Sequence, residues 1–248
     1  MRCKPLVRNI LIWAFGLLAS LALPTAAEAL TPQEQMQIYA CRATSSLLLY
    51  RGEGFQASYA QRVDTDLAAL AAALQSSQQV SDELRKTHQE LVTQIRRGVS
   101  FGPNEEDVPW AYQRELGKAL RDFLLSAHAL TGNTAKDELP VKIEYLSVQY
   151  LFRSYIGSFE LAREHSEQYQ GQDERALVPD IDIQLVELND KDNPAIGKIK
   201  TRWGYLKVAL NDMNSGVTAM TSSSGRPFAP IMVDRHTRTL TEQLMSLN

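Results

Sequence analysis

The sequence predicts an all-α protein of about eight helices, and three observations carry that prediction. Apolar residues recur at alternating three- and four-residue spacing along most of the chain after residue 30, the period of a helix that buries one stripe. Short breaks rich in Gly, Pro, Asn and Asp separate these stretches. No segment alternates with period two in β-branched residues, as a half-buried strand would. Antiparallel neighbours joined by short loops build helix bundles. The simplest architecture is two tandem four-helix bundles, residues 30–135 and 136–248, divided near TGNTAKD (131–137). One elongated mixed bundle is the alternative.

The chain opens with Arg2, Lys4 and Arg8, then the uncharged run ILIWAFGLLASLAL from Ile10 to Leu23, then Pro24 and the small-x-small site Ala27-Glu28-Ala29. This is the pattern of a secretory signal peptide cleaved after Ala29. The run is 14 residues long, against roughly 20 for a membrane-spanning helix. Cys3 precedes the apolar run, where a lipoprotein's acylated cysteine cannot stand. The expected product is an exported protein without a transmembrane segment, with a bacterial periplasm as its compartment.

Thr31-Pro32-Gln33-Glu34 predicts a capping box with Pro at the first helical position. Met36, Ala40, Ala43, Leu47 and Tyr50 then form a coiled-coil-like seam. Gly52 and Gly54 punctuate, and Phe55, Tyr59, Val63, Leu67, Leu70 and Leu74 mark a second helix. Ser81 caps a third through Leu84, Leu91 and Ile95. SFGPNEEDVP (100–109) reads as a loop, and a fourth helix carries Trp110, Leu116, Leu120, Phe123, Ala127 and Leu130.

The second half begins near Pro140 with the most aromatic helix, expected to run to His165. One stripe is Tyr145, Val148, Phe152, Tyr155 and Phe159; a second is Ile143, Leu146, Tyr150 and Gly157. An apolar face this wide predicts burial on two sides. Leu177, Ile181, Leu185 and Leu188 mark a sixth helix, Ile196 to Met213 a seventh, and Val233, Leu240, Leu244 and Leu247 an eighth.

Removing Arg2, Lys4, Arg8 and Glu28 from 26 bases and 29 acids leaves 23 and 28, a net charge of −5. A mildly acidic surface argues against nucleic acid as a partner. Cys41 is the one cysteine after residue 29, which rules out an internal disulfide; it reads as a small buried hydrophobe, with an intermolecular disulfide as the alternative. The 248 − 29 = 219 remaining residues can bury a core without cross-links.

Catalytic and metal-binding motifs do not emerge. His88, His128, His165 and His236 each lack a glutamate three residues before them, so the di-iron bundle pattern is missing. One cysteine is too few for a zinc site of the usual Cys/Cys/His composition. SSSG (222–225) lacks the G-x-S-x-G frame, and GNTAK (132–136) is too short for a phosphate loop. No catalytic residue, metal or cofactor is assigned. A Met and a His near opposite ends of a bundle, here Met36 and His236, resemble the axial ligands of periplasmic b-type cytochrome bundles and form a remote haem candidate.

Two features point to recognition instead. The aromatic helix places Tyr150, Arg153 and Tyr155 together as a candidate pocket or interface. MNSGVTAMTSSSGRPFAP (213–230) is a long polar connection bearing Phe228 beside the last helix, and such loops are often functional. The expected function is non-enzymatic: a periplasmic protein-binding, assembly or accessory factor whose partner is another periplasmic or membrane protein. The alternative is a small-ligand sensor passing its signal to a membrane partner. Paired helical bundles resemble, in architecture, the periplasmic sensing modules of bacterial chemoreceptors.

Overall fold

A computed structural model describes residues 30–131, 138–189, 193–211, 213 and 229–247. The segment expected to be an export signal, most of the 213–230 connection and Phe228 lie outside these residues. Within them the chain is all-α, with eight helices: α1 Pro32–Gly52, α2 Ala57–Ser76, α3 Asp82–Ser100, α4 Tyr112–His128, α5 Leu139–Tyr155, α6 Glu174–Glu187, α7 Pro194–Asn211 and α8 Pro230–Met245.

The helix starts follow the chemistry of their caps. Thr31 Oγ1 accepts from the Glu34 amide at 3.2 Å while Glu34 Oε2 accepts from the Thr31 amide at 2.7 Å, closing the expected box. Ser81 Oγ accepts from the Leu84 amide at 3.1 Å and starts α3.

The two halves differ in construction. In the second half, α5, α6, α7 and α8 pack in a ring, each against the next, as an antiparallel four-helix bundle. In the first half, α2, α3 and α4 surround α1, and α1 also packs against α5 and α8. One apolar core therefore runs through both halves, from Met36 and Leu47 through Leu120 and Phe123 to Tyr145, Ile181, Trp203 and Leu240.

That role explains why α1 is buried nearly all round, beyond the single seam its sequence predicts. Gln37, Arg42, Thr44, Ser45 and Ser46 are buried with its apolar residues. Cys41 is also fully buried, and burial, followed by the charge of Glu144, pushes its thiol well up. The expected double burial of the aromatic helix is present in α5, from Leu139 through Phe152.

Two expected boundaries move. The aromatic helix ends at Tyr155, not His165: Gly157 takes φ 93° and redirects the chain into turns at Arg163–His165 and Tyr169–Gly171. Phe159 still joins the stripe, because the returning chain sets its ring 5.7 Å from Tyr145 and 5.0 Å from Phe152. Trp110, expected at the head of the fourth helix seam, precedes α4 and is 86% exposed.

Where α1, α2, α5 and α8 meet, the core contains charge. Arg42 Nε donates to Glu144 Oε1 at 2.7 Å, and Thr241 Oγ1 donates to the same oxygen at 2.6 Å. Arg238 donates to both oxygens of Asp66 at 3.0 and 2.9 Å and to Asp234 at 3.0 Å, and Arg62 donates to Asp234 at 2.6 Å. Three guanidinium groups thus balance three carboxylates, which is the condition for keeping charges out of water.

Candidate binding groove

A concavity at the end of the molecule where α1 and α5 finish has a volume of about 380 Å³. Three stretches of sequence converge on it: the end of α1 with the following turn, the loop before α4, and the last turn of α5. Leu47, Leu48 and Leu116 form its apolar floor; Phe55, Tyr155 and Val108 stand at its sides, with Arg51, Asn104 and Gln113 supplying polar groups.

The wall from α1 is held firmly. Arg51 donates to the carbonyls of Gly98, Phe101 and Gly102 at 2.9, 3.2 and 3.2 Å, placing a cation at the negative C-terminal end of α3. Its guanidinium also lies over the rings of Phe55 and Phe101, 5.2 and 5.9 Å from their centroids. The turn reverses through Gly54 at φ 85° and Phe55 at φ 58°. A phenylalanine in the left-handed region is strained; the strain is held by a T-shaped contact with Tyr50, ring centroids 5.2 Å apart. Tyr155 donates to Glu53 and so ties the end of α5 to this turn.

Two glycines let the walls approach. A Cβ on Gly52 would fall 2.3 Å from the Tyr155 ring, and one on Gly98 would fall 2.0 Å from the Tyr112 hydroxyl. That hydroxyl donates to the Gln94 carbonyl at 2.8 Å, and burial pushes the phenol well above its ordinary value.

A second hollow of about 140 Å³ adjoins the first and shares Gln113 and Ile156 with it. Trp110 stands at its edge with the Arg114 guanidinium 5.7 Å from its ring centroid, and Phe159 and Glu160 close the far side. The two hollows form one groove with apolar and aromatic surface below and hydrogen-bonding groups along the rim, the composition of a recognition site. None of its lining residues is a histidine or cysteine, and no cluster of metal-ligating side chains occurs among the described residues.

Of the residues singled out in the sequence, Tyr155 lines the groove. Tyr150 is fully buried in the core. Arg153 turns to the buried carboxylate of Glu174, at 3.1 and 3.3 Å, and so anchors the start of α6. Met36 is completely buried on the first turns of α1. His236 faces α7, with Nδ1 3.1 Å from Arg202 Nη1 and its ring 4.8 Å from that of Tyr205. Those contacts do not join Met36 to His236.

The sequence contained the groove in pieces that read as punctuation. Arg51-Gly52-Glu53-Gly54-Phe55 and Gly102-Pro103-Asn104 carry the signs of turns, and nothing in either says that it faces the other. The exposed Trp110 was the available signal, because a large aromatic beside a Pro-rich loop need not belong to a core. No protein-family model matches the chain, and no curated protein and no solved structure is significantly similar to it.

Proposed function

We propose that this is an exported, non-enzymatic binding protein, acting as a periplasmic accessory or assembly factor, and that the groove between α1, α4 and α5 captures a short apolar or aromatic segment of a periplasmic or membrane protein. The observation that carries the reading is the continuity of the apolar-floored groove with the exposed Trp110. Aromatic side chains give large contact area at small entropic cost and dominate binding surfaces of this kind. The preformed wall at Phe55 reduces the ordering needed on binding. Among the described residues no helix is long and apolar enough to cross a membrane, so the proposed membrane partner would be met at its exposed surface.

A small organic ligand is the second reading, favoured by one observation: about 380 Å³ lies within the usual size range of small-molecule sites.

Native mass spectrometry of the protein recovered from its own cells separates the two. A protein-sized added mass that disappears in Trp110→Ala, with the melting temperature unchanged, supports segment capture. A small added mass that survives Trp110→Ala and is lost in Phe55→Ala supports the ligand reading. A bare chain, together with no adduct from a photo-crosslinking residue at Gln113, would reject the groove as the working site.

A further inference from the structure

α6 and α7 pair along their length, bridged by the partly exposed Asp182–Lys207 ion pair, and the outermost positions of both helices are uncharged. On α6, Leu177, Ile181 and Leu185 turn inward. The opposite side presents Ala176, Pro179, Ile183 and Val186 at spacings of three, four and three, and Ile183 and Val186 are 62% and 75% exposed. On α7, Ile196, Ile199, Trp203 and Leu206 turn inward. Its opposite side presents Gly197, Thr201, Gly204 and Val208 at four, three and four. The solvent side of a surface helix is ordinarily polar or charged, yet none of these eight positions carries charge. Val208 is 60% exposed, and Tyr205 beside it adds a ring that is 58% exposed.

The two glycines sharpen the question. Nothing among the described residues lies within 4 Å of a Cβ built on Gly197 or Gly204, so no described neighbour explains them. Glycine inside a helix lowers its stability relative to alanine. A groove of small residues flanked by a ridge of larger ones is instead the shape that admits a second helix closely.

We propose that this face is the contact between two copies of the chain, related by a two-fold axis parallel to α6 and α7. Such an axis lays α6 of each copy antiparallel over α7 of the other, closing a four-helix layer. The register within the hairpin is fixed by Trp203 Nε1 donating to Asp182 at 2.6 Å and Lys200 Nζ donating to the Leu188 carbonyl at 2.8 Å. Ile183 therefore stands level with Gly204, and Val186 with Thr201. Across the axis the α6 ridge enters the α7 groove, twice by symmetry, so the face is complementary to itself.

Charge at the rim argues for the same occupant. Glu187 lies on the edge of α6 away from α7, and Lys198 on the edge of α7 away from α6, at nearly the same height. Both are exposed, and neither forms an ion pair among the described residues. The proposed axis brings Glu187 of each copy to Lys198 of the other. Faces of this length and width bury on the order of 1,000 Å² in total, the scale of a weak, concentration-dependent dimer.

Sedimentation velocity on the purified protein from about 1 to about 100 µM, the range in which an interface of this size associates, tests the proposal. A dimer that grows with concentration is expected. Ile183→Asp, at an outward position and with unchanged circular dichroism, is expected to keep the chain monomeric throughout. Glu187→Lys and Lys198→Glu are each expected to weaken the dimer about tenfold, because symmetry breaks two pairs at once. The two together are expected to restore it to within about twofold, since the pairs re-form with signs exchanged. A chain that stays monomeric, a dimer indifferent to Ile183→Asp, or an exchanged pair as weak as its single variants would overturn it. The exposed charge variants keep the test open if Ile183→Asp fails to fold.

Discussion

Arg42 and Glu144 show how the interior is priced residue by residue. Both side chains are almost fully out of water and lie 2.7 Å apart, so removing Arg42 leaves Glu144 without its ion-pair partner, and removing Glu144 leaves Arg42 only the exposed carboxylate of Glu242, 3.5 Å away. Glu144→Leu is expected to destabilise the fold by about 3–5 kcal/mol, and Arg42→Met combined with Glu144→Leu to recover much of that; urea denaturation of the two single variants and the double gives the comparison. Protons act at the same scale. Burial disfavours the imidazolium of His88, and burial with the charges of Arg202 and Arg235 does the same to His236, so both titrate below the ordinary histidine value. The unfolded chain then takes up these protons at higher pH than the folded chain. Their contribution to stability is complete above a pH of about 6.5 and falls as the pH drops through the histidine range. Asp173 and Asp182, held low by Arg175 and by Lys207 with Trp203 despite their desolvation, lose their contribution only at lower pH. Melting temperature is expected to decline from pH 7 to pH 5, and to decline less in His88→Gln.

At the scale of the element, Gly52 decides how α1 ends. Alanine at an ordinary helix position stabilises relative to glycine by about 1 kcal/mol. Here its Cβ would enter the Tyr155 ring, and overpacking of this kind costs about 1–3 kcal/mol. Gly52→Ala is therefore expected to lower stability, opposite in sign to the intrinsic preference, and to weaken whatever the groove binds by turning Tyr155 away. Thermal melting reads the first effect; an unchanged or raised melting temperature would show that the ring gives way freely. The start of α1 was legible from Thr31 and Glu34, because a capping box is local. The end of α5 was not. The aromatic period continues past Tyr155 in the sequence, and the structure satisfies Phe159 by folding the chain back instead of extending the helix.

Across the whole molecule, α1 is the element on which both halves depend. Its contacts reach α2, α3 and α4 on one side and α5 and α8 on the other, and the Arg42 and Arg238 networks join it to α2, α5 and α8. A core shared in this way predicts one cooperative unfolding transition, with equal calorimetric and van't Hoff enthalpies. Two resolved transitions in differential scanning calorimetry would show that the halves unfold independently. The groove also belongs to this scale, since its three walls come from residues 51–55, 103–113 and 154–156 and exist only when α1 and α5 finish at the end where α4 begins.

The sequence by itself determined the helices, most of their boundaries and the faces they bury, because periodicity, caps and turn residues act over a few positions. It also carried the apolar richness of α5. Only the tertiary structure decided that α1 is the shared centre, that Arg42 meets Glu144 and Thr241, and that a turn after α1 faces a loop before α4. Those outcomes depend on pairs separated by as many as 199 residues. A charge or an aromatic ring has no local period to announce its partner, so its meaning is set by packing.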